Sequence, residues 1–202
     1  KLLKGRLDEE NLYPWQSINY LESHDDFTFI DRLCSHEEWI NGSPPDKVVK
    51  QAMVAMGLLL LSPGIPMLGS GQDYLRSKRG VQNTYQRGDL NALKYNEFIH
   101  TENFHNWTKK LISFRSSQNG TLLRLSEFLP QEQYQTIDGP KNSFGLLIHS
   151  NQGGSESSIL LILVNPSEQE IKLSLPDFKN IQSKLILLGE KGADFGSVHP
   201  IS

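Results

Sequence analysis

The sequence predicts an α/β fold in its first half and an all-β fold in its second. Two observations carry this. Between Ile18 and Leu68, two short β-prone runs bracket one helix-length amphipathic segment. After Asn119-Gly120 the helical periodicity gives way to short β-prone runs separated by turn clusters. The change of texture near residue 119 divides the chain into segments 1–118 and 119–202. A third observation bears on chemistry: the first β-prone run ends in His24-Asp25-Asp26.

Residues 18–23 mix β-branched, aromatic and apolar types, and a charged turn follows at once, so a strand-to-loop junction is expected there. Pro44-Pro45-Asp46 supplies a helix start, with Asp46 favoured in the first turn by the helix dipole. Val48, Val49, Ala52, Met53, Ala55, Met56, Leu59 and Leu60 then form an apolar face, and Pro63-Gly64 stops the helix. Ile65-Pro66-Met67-Leu68 reads as a buried parallel strand, which need not alternate, with its proline near the strand start. A further helix is expected from Thr101 or Asn103 to Ser116, with Phe104, Trp107, Leu111, Ile112 and Phe114 inward. Beyond residue 119, strands are expected at 122–128, 144–149, 158–164, 171–175 and 183–188. Turns at Asp138-Gly139-Pro140, Asn151 to Gly154, Asn165-Pro166-Ser167 and Pro176-Asp177 separate most of them, and the pattern suggests an antiparallel sandwich.

Composition narrows the field. The chain has 202 residues, room for one large or two small domains, and a formal net charge of −3. That balance, with a pI near 6.1, gives no reason to expect nucleic-acid or anionic-membrane partners. The longest apolar run, Ala55 to Leu61, is far short of the roughly 20 residues a bilayer span needs. Cys34 is the one cysteine, so no internal disulfide is possible and the compartment is not indicated; it reads as a small hydrophobe. The histidines show no metal-ligand spacing, and no metal or cofactor is expected. No signal peptide opens the sequence, which starts at Lys1.

His24 and Asp25 at a strand end can hydrogen-bond vicinal hydroxyls, and the carboxylate can stabilise developing positive charge, which suits a sugar ring. Two further segments follow in order. One is Ser62-Pro63-Gly64-Ile65-Pro66-Met67 running into Gly69-Ser70-Gly71-Gln72-Asp73; the other is Arg76-Ser77-Lys78 running to Asn83-Thr84-Tyr85-Gln86-Arg87-Gly88-Asp89. Together the three resemble the end of the catalytic barrel in the α-amylase clan of glycoside hydrolases, most of all its pullulanase and limit-dextrinase branch. There the seventh strand carries Asn-Tyr-x-x-x-His-Asp-Asn; a leucine-rich helix leads to Ser-x-Gly-Ile-Pro-Phe and His-Ala-Gly-Gln-Glu, and Arg-Thr-Lys leads to Asn-Ser-Tyr-x-x-x-Asp. The resemblance covers residues 14–95 well and the remainder weakly.

This resemblance implies the last βα units of a (β/α)8 TIM barrel followed by an antiparallel β-sandwich domain. It implies a retaining hydrolase of α-1,6-glucosidic branch linkages, with an α-glucan and the upstream part of the same barrel as partners. Similar enzymes take their nucleophile and acid/base from the fourth and fifth strands, which would lie upstream of Lys1. Asp25 matches the third acidic residue, a transition-state stabiliser, and His24 binds the same sugar. Asn83, Tyr85 and Asp89 match glucan-contacting positions, and Arg76 could pair with an active-site carboxylate. Trp39, with Glu37 and Glu38, is the best aromatic candidate for a glucan platform, and Trp15 could also stack on a sugar, whereas Trp107 sits on an apolar helix face. Three departures bear on activity: Asp26 replaces the family's Asn, Gly69 to Asp73 replaces His-Ala-Gly-Gln-Glu, and Leu93-Lys94-Tyr95 replaces Ile-Asp-Trp. A non-catalytic carbohydrate-binding or assembly module and an α-1,4-acting amylase-type enzyme are the alternative readings.

Overall fold

In the computed structural model, residues 13–127, 129–150, 158–167, 169–174, 186–189 and 192–195 are described. Strand β1 (Ile18–Tyr20) leads through a loop bearing the short helix α1 (Phe29–Leu33) into the long helix α2 (Asp46–Leu60), which returns to β2 (Ile65–Met67). β1 and β2 pair in parallel, Ile18 opposite Ile65 and Tyr20 opposite Met67. This is the strand–helix–strand crossover that a parallel pair requires. Pro45 precedes the first residue of α2, and Val48, Ala52, Met56, Leu59 and Leu60 are buried along one stripe. Gly64 turns the chain into β2 at φ 103°; a Cβ there would sit 2.8 Å from the Ser17 carbonyl, so only glycine permits the approach.

After β2 come the one-turn helix α3 (Gly88–Asn91) and, following a 3-10 segment, α4 (Glu102–Ser116). Phe104, Trp107, Leu111 and Phe114 of α4 are buried, and α4 packs on α2, where the Trp107 indole N–H donates to the Met53 carbonyl at 3.3 Å. Ile112, expected inward, is 41% exposed. It lies 100° past Leu111 around the helix, beyond the edge of the buried stripe.

An antiparallel sheet follows in the order β3 (Tyr134–Asp138), β4 (Phe144–Ser150) and β5 (Ser158–Val164). β6 (Ile186–Gly189) and β7 (Gly192–Phe195) pair as a hairpin. Leu146, Ile148, Leu160 and Ile162 join the same hydrophobic cluster as Leu111 and Phe114, and β4 and β5 meet the 3-10 helix that follows α4, so the sheet shares one core with the helices.

Several expectations need correction. β1 ends at Tyr20 rather than near residue 23, because Glu22 turns inward and its carboxylate accepts from the Phe29 N–H at 2.5 Å. Residues 122–123 are not strand but the end of a 3-10 helix (Gln118–Leu123), where the Leu123 carbonyl is captured by the buried Arg115 guanidinium at 2.9 Å. Residues 171–174 have no regular structure. Asn165 closes a side-chain turn just before them, donating to the Gln169 carbonyl at 2.8 Å, and the ladder ends at Val164. β3 and β7 were not anticipated. Phe128, Leu175, the Asn151–Gly154 and Pro176-Asp177 turns and residues 183–185 lie outside the described residues. Among the described residues no helix is long and apolar enough to cross a membrane.

Candidate functional site

The site is built on the turn after β1. His24 and Asp25 stand on it side by side, Nε2 to Oδ2 3.2 Å, and both are largely exposed, at 91% and 67% of their side-chain surface. A pair so placed presents one carboxylate and one imidazole outward. Asp26 takes a left-handed conformation, φ 57°, which reverses the chain.

Beneath the exposed pair the turn is tied down. Glu22 closes its base through the Phe29 N–H bond. Asp31 of α1 accepts from the Ser77 hydroxyl at 2.5 Å and from the Lys78 N–H at 2.7 Å. The Lys78 ammonium, on a side chain only 1% exposed, donates to the Asp26 carbonyl at 2.5 Å. The loop starting at Arg76 is thereby bound to the His24–Asp25 turn, although the two are about fifty residues apart in sequence.

Glu22, which the sequence reading passed over, is 2% exposed. Burial pushes its carboxyl above the ordinary range, opposed by the Phe29 N–H and the charges of Arg76 and Lys78. Among the described residues its Oε1 has no hydrogen-bond partner, and neither has Nε2 of the buried Gln72, whose Oε1 accepts from the Gly69 N–H at 2.9 Å. A charged residue placed between an apolar strand and the His-Asp pair was the available signal.

The remaining candidates are distributed along the loop. Arg76 donates through Nη1 to the Asn91 carbonyl at 3.2 Å, and its charge acts on the Glu22 carboxyl. Asp89 is exposed and held by Arg87 through two bonds of 2.8 Å, which lower its pKa to about 2. Tyr85 is 84% exposed, and Asn83, at φ 45°, is exposed too. Among the described residues none of these three bonds to His24 or Asp25.

A cavity of about 380 Å³ opens beside the loop, lined among others by Trp39, Arg76, Asp89 and Phe98. Its walls mix aromatic and polar side chains, and neither His24 nor Asp25 is among them. Trp39 is half-buried and tilted against His36, ring centroids 4.8 Å apart, while Glu38 is spent on the Ser35 N–H at 2.8 Å. Trp15 stands exposed at the entry to β1, stacked on Tyr13 at 5.5 Å. Cys34 is buried and its thiol is pushed up by burial, as an inert structural residue would be. Among the described residues no group of three or more His, Cys, Asp or Glu could hold a metal ion.

No family model matches the chain. It is 35% identical over 165 residues to the pullulanase of Bacillus subtilis strain 168, covering 81% of this chain and 22% of that protein. The solved pullulanase of Anoxybacillus sp. LM18-11 complexed with maltotetraose superposes with a TM-score of 0.56 at 29% identity, over 67% of this chain and 20% of the other. The apo pullulanase of Paenibacillus barengoltzii gives a TM-score of 0.72 over 95% of this chain and 28% of the other; at 23% identity that match speaks for the fold alone. The chain thus spans about a fifth of the length of the curated relative. Motif order, fold and relatives together define a segment of the α-amylase family of glycosidases. Within it, the chain belongs to the pullulanase-like branch.

Proposed function

We propose that this chain is the C-terminal part of a retaining glycoside hydrolase that cleaves α-1,6 branch linkages in pullulan, glycogen or starch dextrins. The observation that carries the reading is the exposed His24–Asp25 pair, held at the C-terminal end of one strand of a parallel pair and bound to the Arg76–Lys78 loop. In α/β barrels the reacting groups occupy that end of the strands.

Retaining hydrolysis uses two carboxylates about 5–5.5 Å apart, one a nucleophile and one an acid/base. In this proposal both are supplied by barrel strands upstream of this segment. Asp25 is the third carboxylate: it grips ring hydroxyls and strengthens those bonds as the oxocarbenium ion develops, which lowers the barrier where uniform binding would not. His24 holds the same sugar. Arg76, Asn83, Tyr85 and Asp89 extend the contact surface along the glucan, and the maltotetraose complex of the Anoxybacillus relative supports an α-glucan as the occupant.

The exposed face of the β1–β2 pair supports an upstream barrel partner. Ile18, Tyr20, Ile65 and Met67 share that face and are 59%, 54%, 44% and 38% exposed. Parallel sheets are covered on both faces, so this apolar row is suited to packing inside a completed barrel, with 1–118 as barrel and 119–202 as a C-terminal β-sandwich. Reducing-sugar release from pullulan tests the reading. The purified 202-residue chain is expected to release none, and the same chain covalently continuous with its upstream barrel to release maltosaccharides; release by the chain alone would refute the division of labour.

A further inference from the structure

Lys78 is among the largest fully buried side chains of the described residues, and its ammonium donates to the Asp26 carbonyl. Burying an ammonium is costly, and a lysine on a loop ordinarily keeps its head in water. Here the cost is offset locally. The Glu22 carboxyl lies within the field of both Arg76 and Lys78, and Asp31 faces the same cluster, so two carboxylates oppose two cations beneath the turn. Asp26, the acceptor, has φ 57°, a conformation that a non-glycine residue adopts at a cost. Its side chain, 4.0 Å from the Arg32 guanidinium and 64% exposed, does little to hold it. The tie from Lys78 is therefore the buried bond that acts on the reversal point itself, one residue beyond Asp25.

We infer that Lys78 is a positioning residue: its buried ammonium locks the Asp26 carbonyl, and with it the backbone that aims His24 and Asp25. Asp31 is the second half of the device, since it fixes the Ser77 hydroxyl and the Lys78 N–H and so determines where the lysine stem departs. The inference rests on the proposed reading of the turn as the sugar-gripping group, but the lock itself can be tested without it.

The test has two arms, both on the 202-residue chain. In the first, amide hydrogen exchange is followed at residues 24–28, with the β4–β5 amides as the control for global folding. Lys78→Met is expected to speed exchange at residues 24–28 by about tenfold or more while β4–β5 protection is unchanged, the signature of a local rather than global opening. Asp31→Asn is expected to do the same and serves if Lys78→Met fails to fold. Unchanged exchange in the folded variant overturns the lock. In the second arm maltotetraose is titrated against wild type, Lys78→Met, Asp25→Asn and the double variant. If Lys78 acts through Asp25, each single change weakens binding and the double variant is no weaker than Asp25→Asn alone, a non-additivity that a merely structural role would not produce. Additive losses overturn the positioning role. Faster exchange with maltotetraose affinity unaltered in every variant leaves the lock standing and removes the sugar-gripping reading of the turn.

Discussion

Glu22 and Gly69 interlock. The buried carboxylate of Glu22 lies over the space where residue 69 would carry a side chain; a Cβ built there would overlap Oε1 and sit 2.8 Å from Cγ and 2.9 Å from Cδ. Gly69 replaces the histidine of the family pattern, so the glycine and the inward glutamate fit as a pair. Gly69→Ala is expected to destabilise the chain by about 1–3 kcal/mol, the usual cost of overpacking, because the bound carboxylate has nowhere to retreat. Chemical denaturation measures it, and adding Glu22→Ala should recover part of the loss.

Glu22 also gives the stability a pH dependence of unusual sign. Its pKa is raised on folding, chiefly by burial, so the folded state takes up the proton more readily than the unfolded one. The contribution of its protonated form is fully present below the ordinary carboxyl value of about 4.5 and fades as the pH rises through the folded value. Glu22→Gln keeps an acceptor for the Phe29 N–H without the charge. It is expected to match wild type at acid pH and to be the more stable protein at neutral pH, as unfolding curves at the two pH values would read directly.

Arg115 of α4 ties the end of α2 and the turn into β2 to the 3-10 helix that follows α4. It is 6% exposed and donates to the carbonyls of Leu60 and Ser62 at 2.7 Å each, of Leu123 at 2.9 Å, and of Gly64. Its own carbonyl accepts from Arg124 Nε at 2.6 Å. Burial, with the charge of Arg124 adding to it, lowers its pKa to about 10, which still leaves it charged at neutral pH. Arg115→Met orphans four carbonyls and is expected to cost about 3 kcal/mol or more in thermal or denaturant unfolding. Arg115→Lys, which lacks the fork, should restore only a fraction.

The Arg87–Asp89 fork is a surface feature with a spectroscopic rather than energetic signature. Asp89 titrates near 2 because Arg87 donates to both its oxygens. Arg87→Ala is expected to return the Asp89 carboxyl toward the ordinary carboxylate range, followed by NMR titration, with little change in stability since exposed pairs contribute little.

How much of this was legible depends on what each residue leaves in the sequence. Helix α2 was readable because Pro45-Asp46 opens it and a continuous apolar stripe from Val48 to Leu60 needs a buried face. β4 and β5 were readable as unbroken apolar runs, 144–149 against the observed Phe144–Ser150 and 158–164 as observed. β3 was not. Tyr134-Gln135-Thr136-Ile137-Asp138 buries only Ile137, and its strand character comes from pairing with β4. The His24–Asp25 pair was visible because two titratable residues at a strand end are conspicuous. Lys78 and Arg115 were invisible for the converse reason: a buried cation bound to carbonyls is spelled like any solvated one, and only the fold reveals which carbonyls it meets. Arg76 was read as able to pair with an active-site carboxylate, one that the same reading placed upstream; among the described residues it donates to the Asn91 carbonyl, a contact the sequence did not announce.

The central claim is that Asp25 grips the sugar in the transition state while bond cleavage is carried out by carboxylates beyond this segment. Pullulan hydrolysis by the full-length protein carrying Asp25→Asn tests it most directly. The predicted result is a fall in kcat of about a hundredfold or more, far larger than the accompanying rise in KM, as expected when an interaction stronger in the transition state than in the ground state is removed. A kcat equal to that of the unaltered enzyme would contradict it.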